Sequence, residues 1–186
     1  MSTVIFFGDT LWADTCVTNE FATRREQRVG RKLARHGNSV FGFTGTLEGA
    51  EDFMEWVRKG RPNRFLYWLY GPSVSDEVYI FEWDGRVLTY WESVLKWWTI
   101  KGTSIQLGFG YWKKAKTYVP GRDGKVFYMG SGSNAVGKFM DNTETFDPRS
   151  AIRHASKHDV YTNNILEYIN LELSQPERAE SDSTRI

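Results

Sequence analysis

The sequence has one cysteine, Cys16, so no disulfide can form within the chain. A single thiol fits a reducing compartment. It also lacks an excess of either charge: 24 Lys and Arg stand against 23 Asp and Glu, a formal net charge of +1. That balance argues against a general nucleic-acid or anionic-membrane binder. No apolar run approaches the roughly 20 residues of a transmembrane helix. The start, Met1 to Phe7, has no basic n-region and is followed early by Asp9, so no signal peptide is expected there. The expected location is cytoplasmic. There is no internal repeat, and no linker long enough to split the 186 residues into two domains.

Aromatic residues, in contrast, are plentiful at 16%, with eight Trp. Thr3 to Phe7 is β-branched and aromatic and reads as a strand, with Leu11 to Val17 as its hairpin partner across Gly8-Asp9. Residues 19–31 are polar and read as irregular. A second hairpin spans Lys32 to Arg35 and Ser39 to Phe43 around Gly37-Asn38. Leu47, Ala50, Phe53, Met54 and Val57 recur at helical spacing, predicting a helix over about 47–59 that stops at Gly60. Val78 to Trp83 and Arg86 to Trp91 flank Asp84-Gly85, a strong hairpin signal. Residues 93–124 are aromatic and basic and read as an insertion. A short strand follows at Lys125 to Met129.

A second helix is expected after Gly130-Ser131-Gly132-Ser133. A third begins at Asp147-Pro148, with Asp as N-cap and Pro at the first helical position. Ile165, Ile169, Leu171 and Leu173 alternate along a last strand, and residues 174–186 read as a polar, disordered tail. Two antiparallel sheets packed face to face with helices outside would bury these apolar faces.

Four segments carry a resemblance to proteasome β-subunits and the HslV-like family of N-terminal-nucleophile hydrolases. Ala13-Asp14-Thr15-Cys16-Val17-Thr18 resembles the family's Ala-Asp-Ser-Arg-Ala-Thr strand. Lys32-Leu33 with Val40-Phe41-Gly42-Phe43-Thr44-Gly45 resembles its Lys-Ile/Val start and apolar strand ending in Ala-Gly. Gly130-Ser131-Gly132-Ser133 matches its Gly-Ser-Gly-Ser turn. Asp159-Val160-Tyr161-Thr162-Asn163-Asn164 resembles Asp-x-x-Ser/Thr-Gly-Gly. The resemblance covers roughly residues 2–60 and 78–173. It implies an α+β fold, a four-layer αββα sandwich in one domain over residues 1–173. Small proteins of this shape are similar to virus-encoded ones.

The resemblance further implies that Met1 is removed and Ser2 becomes the nucleophile, activated by its own α-amine. It implies that Lys32 lies beside the Ser2 hydroxyl and that Asp14 holds Lys32. Gly45 would offer an oxyanion-hole amide, and Ser131 and Asp159 would hold the α-amine, supported by Thr162. Thr18 would pair with an extended substrate, and Phe43 would line the specificity pocket. The implied substrate is a peptide or unfolded protein and the implied state a homo-oligomer, with no cofactor. The chain contains no ATPase of its own, which leaves a separate ATPase partner open.

Plainer readings stand beside these. Asp14 and Lys32 also suit an ordinary ion pair. Ser131 or, better, Ser133 suits a helix cap, and Asp159 a helix end. His154 and His158, spaced i, i+4, have no acidic or Cys partner in a zinc pattern, so no metal site is expected. Gly130-Ser131-Gly132-Ser133 lacks the ending of a P-loop. The sequence also departs from the family: Ser replaces Thr at the nucleophile, Cys16 stands at the basic position, and Asn163-Asn164 replaces Gly-Gly. Residues 60–78 are too short for the family's second long helix. The alternative function is therefore a catalytically inactive proteasome-like scaffold that binds a protein partner or assembles with itself.

Overall fold

The computed structural model describes residues 3–19, 26–62, 78–99, 106–119, 125–170 and 177–179. In chain order the strands are β1 (Thr3–Phe7), β2 (Thr10–Asp14), β3 (Cys16–Asn19), β4 (Glu26–Val29), β5 (Leu33–His36) and β6 (Ser39–Thr44). Helix α1 (Leu47–Arg58) follows, then β7 (Tyr79–Trp83), β8 (Leu88–Thr99), β9 (Gln106–Tyr118) and β10 (Phe127–Gly130). Helices α2 (Ser133–Asp141) and α3 (Pro148–His158) precede β11 (Leu166–Asn170) and β12 (Glu177–Ala179). No described helix is long and apolar enough to cross a membrane.

Two antiparallel five-stranded sheets form, in the orders β10-β1-β2-β11-β12 and β5-β6-β7-β8-β9, and β3 and β4 pair apart from both. Strand alternation sorts the side chains into layers. Val4, Phe6, Leu11 and Ala13 of one sheet meet Leu33, Val40, Phe81, Trp83 and Leu88 of the other, forming the core between the sheets. Ile5, on the opposite face of β1, packs with Leu166 against Ala135 and Val136 of α2 and Ala151, Ile152 and Ala155 of α3. Phe41, Phe43, Ile80 and Trp91 cover the outer face of the second sheet and pack on α1. The described elements thus make the expected α+β arrangement, helix, sheet, sheet, helix.

Local chemistry explains the helix starts. Thr46 accepts the Gly49 amide at 3.2 Å as the N-cap of α1. Asp147 accepts Arg149 N and Ser150 N ahead of Pro148 in α3. The N-cap of α2 is Gly132, without a side-chain cap, so neither Ser131 nor Ser133 does that job.

Several expectations need correction. Trp83 pairs with Leu88, so the β7–β8 connection is a four-residue loop and not a two-residue turn. Asp84 Oδ1 stabilises that loop by accepting the amides of Arg86 and Val87. The polar stretch 19–31 contains β4. Much of 93–124 is continuous sheet in β8 and β9, and Trp112 of β9 is buried beneath α1 with its ring 5.0 Å from that of Phe53. Glu177–Ala179 pairs with β11 inside the stretch expected to be a disordered tail. Polarity hid β4 and β12, because a run of polar residues shows no apolar alternation in the sequence. Residues 63–77, where a second long helix was expected to be missing, lie outside the described residues.

Candidate active site

The site lies where the ends of β2 and β10, the start of β5 and the residues after α3 converge. Past Asp14 the Thr15 amide still reaches Ile165 O, its register partner before β11, at 3.0 Å, and also Asn163 Oδ1 at 3.1 Å. The chain then leaves the sheet into β3. Asp14 is fully buried and stands opposite Leu166 of β11.

Both Asp14 oxygens are used. Oδ1 accepts the Thr3 amide at 2.7 Å. Oδ2 accepts the Cys16 amide at 2.9 Å, Lys32 Nζ at 2.7 Å and the Asn163 amide at 3.4 Å. The Lys32 side chain is 8% exposed. Burial holds the Lys32 ammonium below its usual range, opposed by the Asp14 carboxylate. Burial also pushes the Asp14 carboxyl up, opposed by Lys32 and then by the Thr3 and Cys16 amides. The pair is buried and charge-assisted, unlike the surface pairs that contribute little. Cys16 is also buried, and burial is the first cause that raises its thiol, so it stays protonated near neutral pH.

A second network faces the first across Thr3. Ser131 Oγ donates to Asp159 Oδ2 at 2.5 Å, and Thr162 Oγ1 donates to the same oxygen at 2.7 Å. The Thr162 proton being spent there, the 2.8 Å contact between Thr3 Oγ1 and Thr162 Oγ1 has Thr3 as donor. Asp159 is the C-cap of α3, and its Oδ1 accepts the Tyr161 amide at 3.1 Å. Gly132 is required here by space: a Cβ would come within 2.1 Å of Thr3 Oγ1 and 3.0 Å of Thr162 Oγ1.

The structure brings Asp14 and Lys32 together, and Ser131, Asp159 and Thr162 together, with Thr3 bonded to both groups. Ser2 lies outside the described residues. Gly45 sits between β6 and the N-cap of α1 at φ +106°, a conformation that favours glycine. Thr18 stands in β3 opposite Gln27 of β4. Phe43 is buried against α1, its ring 6.3 Å from that of Phe53.

Three residues that sequence reasoning did not place in the site belong to it. Thr3 joins the two networks. Asn163, at a position where the family has Gly, does not have a positive φ. Its side chain instead accepts the amides of Thr15 and Ile165, at 3.1 and 3.2 Å, and so fixes the break after Asp14. Glu167 of β11 is buried, and its Oε1 accepts the amide of Lys32 and, at 3.1 Å, that of Leu33. Burial, opposed by those two amides, raises the Glu167 carboxyl to about 7. The available sequence signal was an acid in a strand whose neighbours on both faces are apolar.

No protein-family model matches the sequence, and no curated protein matches it. Solved structures do resemble the fold. Eukaryotic HslV from Trypanosoma brucei is 19% identical with a TM-score of 0.54, over 90% of this chain and 97% of that one. Anbu from Hyphomicrobium is 11% identical with a TM-score of 0.59, over 99% of this chain and 89% of that one. Anbu from Pseudomonas aeruginosa, described as a helical assembly, is 11% identical with a TM-score of 0.54, over 98% of this chain and 88% of that one. The chain therefore has the proteasome-like fold of N-terminal-nucleophile hydrolases.

Proposed function

We propose that the protein is a proteasome-like N-terminal-nucleophile hydrolase that cleaves peptide bonds through Ser2 after Met1 is removed. The observation that carries this reading is the position of Thr3. Its amide bonds to Asp14, which holds Lys32, and its hydroxyl bonds to Thr162, which with Ser131 bonds to Asp159. Ser2 is one peptide unit, about 3.8 Å between Cα atoms, from that junction.

In this reading the free α-amine of Ser2 takes the Oγ proton as Oγ attacks the substrate carbonyl. The Lys32 ammonium stabilises the developing alkoxide, and its lowered pKa eases passing a proton to its surroundings. The Gly45 amide donates to the oxyanion, a contact worth about 10²–10³ in rate. Ser131 and Asp159, supported by Thr162, orient the α-amine. The amine then gives its proton to the departing nitrogen, leaving an ester on Ser2 that water hydrolyses. Thr18 pairs with the extended substrate, and Phe43 contributes to the specificity pocket.

The substrate class is a peptide or unfolded protein, and the protein works as a cytoplasmic homo-oligomer. The fold shared with the helical assembly of Anbu supports self-association. The departures from the family pattern, Ser2 in place of Thr at the nucleophile and Cys16 at the basic position, favour the second reading, an inactive scaffold. A panel of fluorogenic peptides separates the two. Hydrolysis that falls about a hundredfold or more in both Ser2→Ala and Lys32→Ala supports the enzyme. Hydrolysis unchanged in Lys32→Ala contradicts the mechanism.

A further inference from the structure

Lys32 stands just before β5, an edge strand of its sheet, so outward amides there need a partner from outside the ladder. Glu167 supplies it. Glu167 and Ile169 share the β11 face that points between the sheets, while Leu166 points at the helices. On its inner side the start of β5 is held by β6, where Lys32 O accepts the Phe43 amide at 2.9 Å, and Glu167 reaches across the gap to the other side. The bonds of Glu167 Oε1 to the Lys32 and Leu33 amides fix the backbone from which the Lys32 side chain extends to Asp14.

We propose that Glu167 is a positioning residue of the hydrolytic site and makes that site respond to pH. The inference rests on the hydrolase reading for its effect on rate, and on the geometry alone for its effect on Lys32. The charged groups around Glu167 come from each neighbouring element. Lys32 and Arg31 precede β5, and Asp14 of β2 bonds to Lys32. Arg178 stands opposite Glu167 in the β11–β12 register. Burial raises the Glu167 carboxyl to about 7, so it loses its proton near neutral pH. Ionised, it adds a negative charge beside Lys32 and favours the ammonium. It also strengthens its bonds to the two amides.

The test reads the amide NMR shifts of Lys32 and Leu33 from about pH 5 to pH 9, alongside kcat/KM for a fluorogenic peptide. In the wild type both amides shift with a midpoint near 7. In Glu167→Gln, which keeps an acceptor but cannot ionise, that midpoint disappears. The ratio of wild-type to Glu167→Gln kcat/KM then changes with pH around the same midpoint, and Glu167→Gln retains more activity than Glu167→Ala. A purely packing role gives a ratio that does not vary with pH, which overturns the proposal. Amides that do not titrate, or titrate alike in Glu167→Gln, also overturn it. Titrating amides in a protein that cleaves no peptide support the contact and count against the hydrolase reading alone.

Discussion

The hydroxyl of Thr3 lies 2.8 Å from that of Thr162, joining positions 159 residues apart in the chain. Thr162 passes the connection to Asp159, which Ser131 also reaches. Thr162→Val keeps the shape and removes the acceptor for Thr3. The expected cost is about 1–3 kcal/mol of stability, measured by urea unfolding, with a fall in peptide hydrolysis. Thr162→Ser restores most of both.

Asp14 is the hub of the other network. Asp14→Ala leaves the Lys32 ammonium buried without its partner, together with the Thr3 and Cys16 amides. Breaking a buried pair in this way costs about 3–5 kcal/mol. Thermal unfolding checks the direction: Asp14→Ala melts well below Lys32→Met, because losing the cation leaves a carboxyl that still has its amide donors.

Gly132→Ala tests the closeness of the two networks. The new methyl meets Thr3 Oγ1 at 2.1 Å, a distance no packing tolerates, and Thr3 must move. The expected loss is about 1–3 kcal/mol, seen by urea unfolding, with hydrolysis falling more steeply than stability at temperatures where the variant stays folded.

Glu167 gives the protein a pH-dependent stability. Burial raises its folded pKa to about 7 from the ordinary 4.5 of an exposed glutamate, so the folded state holds the proton more tightly. The stabilisation is complete below about pH 4.5 and is lost as pH rises through 7. The whole span is worth roughly 3 kcal/mol. Chemical denaturation from pH 5 to pH 8 checks it: Glu167→Gln loses this slope.

Sequence legibility followed the range of the physical signal. Asp14, Lys32, Ser131, Asp159 and Thr162 were readable through ordered segments of family-like sequence, and β1, β6 and α1 through strong apolar periods. Thr3, Asn163 and Glu167 were not, because each acts through a contact made only when distant strands pack. Residues 93–99 and 106–118 concealed long strands because aromatic and basic residues mix there without clean alternation. Trp112→Ala tests whether that hairpin belongs to the core. Removing a ring packed on Phe53 costs about 3–5 kcal/mol, whereas an appendage gives no change in unfolding.

The central claim is a free Ser2 beside Thr3, and the intact mass of the untagged protein tests it most directly. The expected mass is one methionine residue below the encoded chain, leaving the Ser2 amine available as the base. A mass that retains Met1, from a host with a competent methionine aminopeptidase, contradicts it, because the nucleophile then has no amine of its own.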